Sequence, residues 1–410
     1  MKALRVGQFV HARQGQPLWL RAANQVGRLA PGLAVPSADA WWEAALAHEP
    51  AAVDPAPEAR EALDVLVRSI RSDTTLSLIG RISARDDTVR LARTHLRIRQ
   101  ALRHPPAIAE TTLPEPIFIV GWPRTGTTAL HQILARDPEN RTIPYWESFD
   151  PVPPSSGPDL RADRLARMLD QLASMAPSYD AIHPMTADMP EECVALFMND
   201  LRTLQFDIQY HAPQYVEWLL DQDTSIAYTS YRRQLQLIQF HRPAGRRFVL
   251  KDPTHLVHLE TLLEVFPTAK VIFTHRDPGT ALSSLCSLHA YTRALFTNDV
   301  DPVALGLEIM DGHWPRAMER ALALRDRLRP ERYTDVRHPD LVRDPLGTVE
   351  STYAALGVPF NEDARRAMTN YIQAEAEKPR HVHEHSPEGF GLSRDGIRAR
   401  FADYCSDFEI

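Results

Sequence analysis

The chain has little cysteine and no long hydrophobic run, and each absence excludes a class of protein. Only Cys193, Cys286 and Cys405 occur in 410 residues, an odd number at wide spacing that argues against a disulfide framework and for a reducing compartment. No apolar run approaches the roughly 18 residues of a membrane-spanning helix, and the N-terminus lacks the apolar core of a signal peptide. We therefore expect a cytoplasmic protein without an integral membrane segment.

An excess of basic residues is also absent. The 53 acidic residues outnumber the 46 lysines and arginines, and the net charge of −7 gives no support to a nucleic-acid partner or to an anionic membrane. The length exceeds that of a usual single domain. Helical periodicity before the first buried strand predicts a helical N-terminal region at residues 1–112 and an α/β domain at 113–410. A helical insertion is expected at about 160–240.

The most informative stretch is residues 117–128, an apolar run that breaks into a glycine-bounded loop and then a helix. Four apolar residues without a charge suit a strand buried on both faces of a parallel sheet. Gly121 and Gly126 let the backbone turn closely around a ligand, and the helix that follows presents free N–H groups. The pattern predicts a phosphate or sulfate site in an α/β fold.

The loop departs from the nucleoside-triphosphatase pattern at one decisive position. Gly121 and Gly126 have the triphosphatase separation, but Thr127 stands where that pattern has lysine, and the cation has moved into the loop as Arg124. Without the lysine, the main contact to the β- and γ-phosphates is lost. A kinase-like nucleotide-binding protein therefore remains only as an alternative, and so does a catalytically idle member of the fold.

Two similar units follow farther along the chain, at residues 248–253 and 272–278. Each is an apolar strand that ends in a cation, Lys251 or Arg276, followed by Asp252 or Asp277 and a proline. The aspartate suits a helix N-cap and the proline suits the first helical position. Both cations are then predicted at the sheet edge where open α/β folds bind ligands.

Residues 123–128, Pro-Arg-Thr-Gly-Thr-Thr, resemble the 5′-phosphosulfate loop of the sulfotransferases that use 3′-phosphoadenosine 5′-phosphosulfate (PAPS). The arginine at the second loop position is closer to the tyrosylprotein and bacterial branches than to the cytosolic branch. The resemblance implies a three-layer, P-loop-like parallel sheet, PAPS as co-substrate, and no metal. It also implies sulfuryl transfer to a hydroxyl of a small-molecule, lipid or carbohydrate acceptor. A homodimer stays open.

The resemblance also implies roles for individual residues. Cofactor binding falls to Arg124, Thr125, Gly126, Thr127 and Thr128, with Arg276 and Ser284 holding the 3′-phosphate. The spacing of eight residues between Arg276 and Ser284 is among the family's more specific marks, and the neighbouring Ser283 ranks second. In the catalytic set, Glu147 is the expected base, with a structural carboxylate that caps a turn or pairs with an arginine as the alternative. Arg124 and Lys251 neutralise charge, and His255 either relays a proton or packs.

Other candidates keep two interpretations. His183, Glu191 and Glu192 are weaker active-site candidates, for which a surface or capping role is the favoured interpretation. The insertion is rich in methionine and aromatic residues, which suit either a core or an acceptor pocket. The alternating His381, His383 and His385 could bind zinc, but a loop closing over the nucleotide, with Lys378 and Arg380, is the favoured interpretation.

Overall fold

The computed structural model describes residues 17–49, 53–72, 76–103, 106–176, 185–378 and 385–410. Its centre is a sheet of five strands: β1 (Glu115–Gly121), β2 (Asn140–Arg141), β3 (Arg247–Lys251), β4 (Lys270–His275) and β5 (Tyr333–Arg337). All neighbouring strands are parallel, in the order β2-β3-β1-β4-β5. The predicted α/β class is confirmed.

Helices surround this sheet along the whole described chain. Those before the sheet are α1 (Leu18–Leu29), α2 (Ala38–His48), α3 (Pro57–Ser72) and α4 (Leu78–Ala101). Those between β1 and β3 are α5 (Thr127–Leu134), α6 (Tyr145–Phe149), α7 (Arg161–Met175), α8 (Val194–Met198), α9 (Gln205–Tyr210), α10 (Pro213–Asp221) and α11 (Thr224–His241). Those after β3 are α12 (Leu259–Val265), α13 (Pro278–Phe296), α14 (Pro302–Asp311), α15 (His313–Arg325), α16 (His338–Arg343), α17 (Pro345–Ala355), α18 (Glu362–Ala376), α19 (Arg394–Arg400) and α20 (Ala402–Asp407).

The sheet is buried on both faces, as its uninterrupted apolar strands require. Successive side chains of a strand point to opposite faces, so Phe118 and Val120 of β1 enter one hydrophobic cluster while Ile117 and Ile119 enter another. The first cluster joins the sheet to the N-terminal helices, for example through Trp42. The second joins it to α5, α17 and α18. Two cores on either side of one sheet make the predicted three layers.

β1 lies at the centre of the sheet, and the later strands lie on both sides of it. β3 pairs with one edge of β1 and β4 with the other, so the loops that follow these three strands meet at one edge. This is the switch point at which open α/β sheets bind ligands. The N-terminal helices share a core with the sheet. The domain boundary near residue 112 therefore stays a prediction.

The predicted caps are present, but the element after Asp252 differs from the prediction. Asp252 accepts a hydrogen bond from the backbone N–H of Thr254, and Asp277 accepts one from Thr280. After Asp252 the chain forms a 3₁₀ turn, Pro253–Leu256, before α12 begins. α1 lies within the region at residues 1–112 that was predicted to be helical. No helix among the described residues is long and apolar enough to cross a bilayer.

Candidate active site

The loop after β1 holds two of its residues in left-handed backbone conformations. Arg124 and Gly126 have φ values of 71° and 95°, in the left-handed region that favours glycine. A side chain at Gly121 would place its Cβ 2.3 Å from the Thr274 hydroxyl oxygen, so only glycine fits there. α5 begins directly after Gly126, and its first N–H groups therefore face the loop.

Thr125 holds the loop from below. Its hydroxyl oxygen lies 2.7 Å from the carbonyl oxygen of Trp122 and 2.6 Å from the hydroxyl oxygen of Thr274, and the side chain is completely buried. The Thr125 side chain therefore fixes the loop conformation. The predicted contact of Thr125 with a cofactor then falls to its backbone N–H group.

The structure brings Arg124, Arg276 and Ser284 together, as the sequence analysis predicted. The Arg124 Nε donates to the Ser284 hydroxyl at 3.0 Å, and an Arg276 guanidinium nitrogen donates to the Arg124 carbonyl oxygen at 2.8 Å. Burial, and then the charge of Arg124, lower the pKa of Arg276. Within the described residues no carboxylate forms a salt bridge with Arg276. Two neighbouring guanidinium groups beside a helix N-terminus form a site for an anion.

Lys251 lies beneath the first turn of α5, where it links the loop to the insertion. Its ammonium nitrogen lies 2.6 Å from Glu192 Oε1 and 3.2 Å from the Thr128 hydroxyl oxygen. Only 2% of the Lys251 side chain is exposed, against 21% for Glu192. Burial alone would lower the pKa of Lys251, but the neighbouring Glu192 and Glu191 raise it overall. The buried ammonium group therefore stays charged.

Asp252, the residue after Lys251, is a further acidic residue beside Glu192. Burial, and then the charge of Glu192, raise the pKa of Asp252 to about 7, although hydrogen bonds from Thr254 oppose the shift. A carboxyl with such a pKa exchanges its proton near neutral pH. The cap and the raised pKa are compatible, because the capping oxygen accepts a hydrogen bond in either protonation state.

A cavity of about 610 Å³ begins at this cluster, within the usual range for small-molecule sites. At one end it is lined by Arg124, the α5 N-terminus, Arg276 and three carboxylates, namely Glu191, Glu192 and Asp252. Its middle is lined by apolar side chains of the insertion and of α13, among them Met168, Leu172, Met175, Met185, Met198, Leu285 and Leu288. The cavity thus joins an anion site to an apolar channel.

The methionine-rich insertion therefore has both of the roles that its sequence left open. Met185 and Met198 line the cavity, and unbranched, polarisable methionines suit an apolar ligand of variable shape. Phe206, Tyr210 and Tyr215 are instead buried in the hydrophobic core. The division follows the faces of the short helices and could not be assigned before their ends were known.

The geometry argues against Glu147 as the base. Tyr145 and Phe149, four residues apart on α6, share the helix face that lines the cavity. Glu147 lies two residues from each and faces the opposite side, where it pairs with Arg141 at 3.0 Å and Arg242 at 3.4 Å. Burial raises the pKa of Glu147 while these arginines oppose the shift. Its contacts are those of a buried structural ion pair.

His255 is not at the cavity either. Its ring packs edge-on against Phe118 and Phe197, and its Nδ1 lies 2.9 Å from the Tyr228 hydroxyl. Burial lowers the pKa of His255 to about 3, so the ring is neutral. Of the two alternatives for His255, the structure favours packing.

Possible metal ligands have other partners in the described part of the chain. His381 and His383, like His183 and Arg380, lie outside the described residues, while the His385 Nδ1 lies 2.9 Å from the Ser283 hydroxyl. A separate group, Asp207, His211 and Glu308, has the spacing of metal ligands. Arg293 donates to both of its carboxylates, at 2.8 and 2.6 Å, so a side-chain cation already pairs with this group.

Three residues that line the cavity had a minor place or none in the sequence analysis, namely Glu192, Asp87 and Arg90. The pair Glu191 and Glu192 precedes a short helix, which is the only signal that the sequence offered. Asp87 and Arg90 belong to α4, and both line the cavity. Tyr210 donates to Asp87 at 3.2 Å, and Arg90 stacks on Phe149. No pattern distinguishes such residues from ordinary surface charges.

Comparison with known proteins identifies the family to which this site belongs. Crystal structures of two mycobacterial sulfotransferases resemble the chain. STF1 from Mycobacterium tuberculosis has 31% sequence identity and a TM-score of 0.78, covering 90% of this chain and 99% of STF1. STF9 from Mycobacterium avium has 27% identity and a TM-score of 0.82, covering 91% and 97%.

A curated relative gives a shorter match. The omega-hydroxy-beta-dihydromenaquinone-9 sulfotransferase Stf3 of Mycobacterium bovis is 30% identical over an alignment of 268 residues that covers 61% of this chain and 65% of Stf3. The match thus spans just under two thirds of that relative's length. The model of the sulfotransferase family matches residues 116–362, more than half of the chain. The loop, both strand-end cations and Ser284 fall inside the matched residues, and the chain belongs to the sulfotransferase family.

Proposed function

We propose that the protein is a sulfotransferase that moves a sulfuryl group from PAPS to the hydroxyl of an apolar small-molecule or lipid acceptor. The observation that carries the proposal is the arrangement at one end of the cavity. There Arg124, Arg276 and the α5 N-terminus face the same space as the carboxylate of Glu192. An anion donor and a hydroxyl acceptor can therefore meet at that carboxylate.

The residues around the loop fit the two charged ends of PAPS. The left-handed Gly126 and the free N–H groups of α5, with Thr127 and Thr128 at its start, suit the 5′-phosphosulfate. Arg276 and Ser284 suit the 3′-phosphate, for which a guanidinium fork and a hydroxyl are good donors. Bound there, PAPS supplies a sulfuryl group whose bond to a phosphate oxygen breaks as the acceptor oxygen attacks.

We assign the base role to Glu192. It is partly exposed and lines the cavity, whereas Glu147 is buried between two arginines. A carboxylate beside the acceptor hydroxyl can take its proton during the transfer. The anionic donor would compete with Glu192 for the ammonium group of Lys251, so donor binding would leave the carboxylate available to the hydroxyl.

Arg124 and Lys251 then serve to neutralise charge. Both lie at the anion site. Lys251 bonds Thr128 at the start of α5, and Arg124, which belongs to the loop, bonds Ser284 on α13. Cations held in place before the reaction stabilise charge that develops on the transferring group and on the departing phosphate. Because both are protein side chains, the proposal needs no metal ion.

The lining of the cavity indicates the acceptor class. Methionine and leucine side chains of α7 and α13 form much of its wall, and such a wall binds alkyl or isoprenoid groups better than a sugar. The name of the curated relative Stf3 gives its acceptor as an omega-hydroxy menaquinone derivative, an apolar molecule with a terminal hydroxyl. We propose an acceptor of the same kind here.

Calorimetry and a transfer assay test the proposal together. Adenosine 3′,5′-bisphosphate should bind at least about tenfold more tightly than ATP, and a long-chain alcohol should become sulfated in the presence of PAPS. Preferential binding of ATP with phosphate transfer would establish the kinase alternative. Binding of the bisphosphate without transfer to a panel of apolar alcohols would indicate an idle member of the fold.

A further inference from the structure

α1 carries apolar side chains on its outer surface that no described part of the chain covers. The exposed fractions are 79% for Leu18, 58% for Trp19, 51% for Val26 and 81% for Leu29. Leu18, Val26 and Leu29, with the exposed Ala22 between them, follow one another at steps of four, four and three residues and so share one helix face. Contiguous exposed apolar surface of this kind marks an interaction site.

The sequence segment that contains α1 has a net charge opposite in sign to that of the whole chain. Residues 1–38 contain Lys2, Arg5, Arg13, Arg21 and Arg28 and no acidic residue, although the chain as a whole has a net charge of −7. Arg21 and Arg28, both exposed on α1, flank the apolar face. An amphipathic helix with leucine and tryptophan on one side and arginine beside them is typical of helices that lie in a bilayer interface.

We propose that α1 docks the protein onto a bilayer surface that contains anionic lipids. The apolar face, defined by Leu18, Trp19, Val26 and Leu29, enters the boundary between headgroups and acyl chains. Arg21 and Arg28 contact the headgroup phosphates. The net negative charge of the whole chain argued against an anionic membrane as a partner. That argument does not hold at α1, because surface charges are screened beyond roughly 10 Å.

A second copy of this chain is a poorer occupant of the same face. In a two-fold symmetric dimer each patch meets its own copy, so Arg21 and Arg28 of one protomer would lie near those of the other. Like charges that face each other oppose such a contact. A surface of anionic lipids supplies the missing negative charge.

The position of α1 gives the docking a consequence for the cavity. Gly27 packs against Leu78 at the start of α4, and the Asn24 side chain accepts a hydrogen bond from the Ile79 N–H. One turn farther along α4, Ser83 lines the cavity, as does Phe296 at the end of α13. Docking through α1 would therefore place this end of the cavity beside the bilayer. That consequence rests on the proposed lipid acceptor, whereas the docking itself does not.

Vesicle flotation with the full chain tests the proposal. We expect the protein to float with vesicles of phosphatidylcholine and phosphatidylglycerol and to bind vesicles of phosphatidylcholine alone much less. The double variant Leu18→Glu/Leu29→Glu should lower the partition coefficient at least about tenfold, because two exposed leucines can no longer enter the bilayer. Arg21→Glu/Arg28→Glu should weaken binding to the anionic vesicles by a similar factor.

A matched control uses exposed apolar residues elsewhere. Leu307→Glu/Val342→Glu alters side chains that are 53% and 57% exposed, and its flotation should equal that of the original protein. All variants should sulfate a short, water-soluble alcohol at the original rate. Unchanged flotation of Leu18→Glu/Leu29→Glu, or no flotation with anionic vesicles, would overturn the proposal. A dimer that this variant dissociates, without vesicle binding, would assign the face to a second copy.

Discussion

The ammonium nitrogen of Lys251 and a carboxylate oxygen of Glu192 lie 2.6 Å apart at the end of the cavity. The pair joins two parts of the fold, because Lys251 ends a strand of the sheet and Glu192 precedes a helix of the insertion. It places a hydrogen-bond acceptor for a hydroxyl beside a cation for an anionic donor.

Replacement of Arg276 by alanine should weaken binding of adenosine 3′,5′-bisphosphate but not of adenosine 5′-phosphate. The substitution removes one charge-assisted hydrogen-bond donor from the proposed 3′-phosphate site, a loss of about 1.5–3 kcal/mol in binding free energy. Calorimetric titration of both nucleotides measures the difference. Equal losses for the two nucleotides would assign Arg276 to the 5′ end of the donor or to the loop alone.

Replacement of Asp252 by asparagine should change how stability depends on pH. Burial and Glu192 raise the pKa of Asp252 to about 7 from an ordinary value of 3.8, so the folded state binds this proton more tightly than the unfolded state. The free energy of unfolding that this group contributes is therefore present at low pH and is lost as pH rises from about 4 to about 7. Asparagine keeps the capping oxygen but does not titrate.

Denaturant unfolding of both proteins at pH 4 and pH 8 measures this effect. Relative to Asp252→Asn, the original protein should lose on the order of 1–4 kcal/mol between these pH values. Groups that do not interact with Asp252 contribute equally in both proteins and cancel in the difference. Glu192, whose charge raises the pKa of Asp252, contributes to the measured effect. A difference that is constant with pH would show that Asp252 has an ordinary pKa.

The fold could be predicted from the sequence because its determinants are local. Uncharged apolar runs such as that of β1 specify buried strands, and the glycines after β1 specify the loop. Arg124, Arg276 and Lys251 were found because strand ends of a parallel sheet meet at one edge. No comparable rule places Glu192, which reaches the site only because the insertion folds back over that edge.

The expectation that Glu147 lies at the cavity differs from the structure for a similar physical reason. Its distance along the chain from Arg124 predicted a return to the sheet edge, and α6 does reach the cavity through Tyr145 and Phe149. In a helix of five residues, the residue at which the helix begins decides which side chains face the cavity. The sequence leaves that first residue uncertain by one or two positions. A shift of two residues is enough to turn a side chain from the cavity to the core.

Chelation of metals should leave sulfuryl transfer unchanged. The proposed charge-neutralising groups are Arg124 and Lys251, and the two aspartates beside the strand ends, Asp252 and Asp277, already accept hydrogen bonds at helix starts. Excess EDTA in a PAPS-dependent assay tests this. If activity disappeared and returned with Zn²⁺ or Mg²⁺, the mechanism would be wrong, and His381, His383 and His385 would become the first candidates for ligands.

The assignment of the base is the central claim, and two isosteric substitutions test it most directly. Glu192→Gln and Glu147→Gln each remove one carboxylate charge, but in our account only Glu192 contacts the acceptor. The informative measurement is the rate of sulfuryl transfer at saturating PAPS and acceptor for both variants, well below their unfolding temperatures. Binding of adenosine 3′,5′-bisphosphate serves as the control that the nucleotide site is intact.

We predict that Glu192→Gln lowers this rate by roughly 10²–10⁴-fold, the range for loss of a general base, while nucleotide binding stays within about threefold of the original. Glu147→Gln should keep the rate within about tenfold and instead lower the free energy of unfolding by about 1–3 kcal/mol, since it weakens the bonds to Arg141 and Arg242. The reverse result, with Glu147→Gln inactive and Glu192→Gln active, would contradict the account.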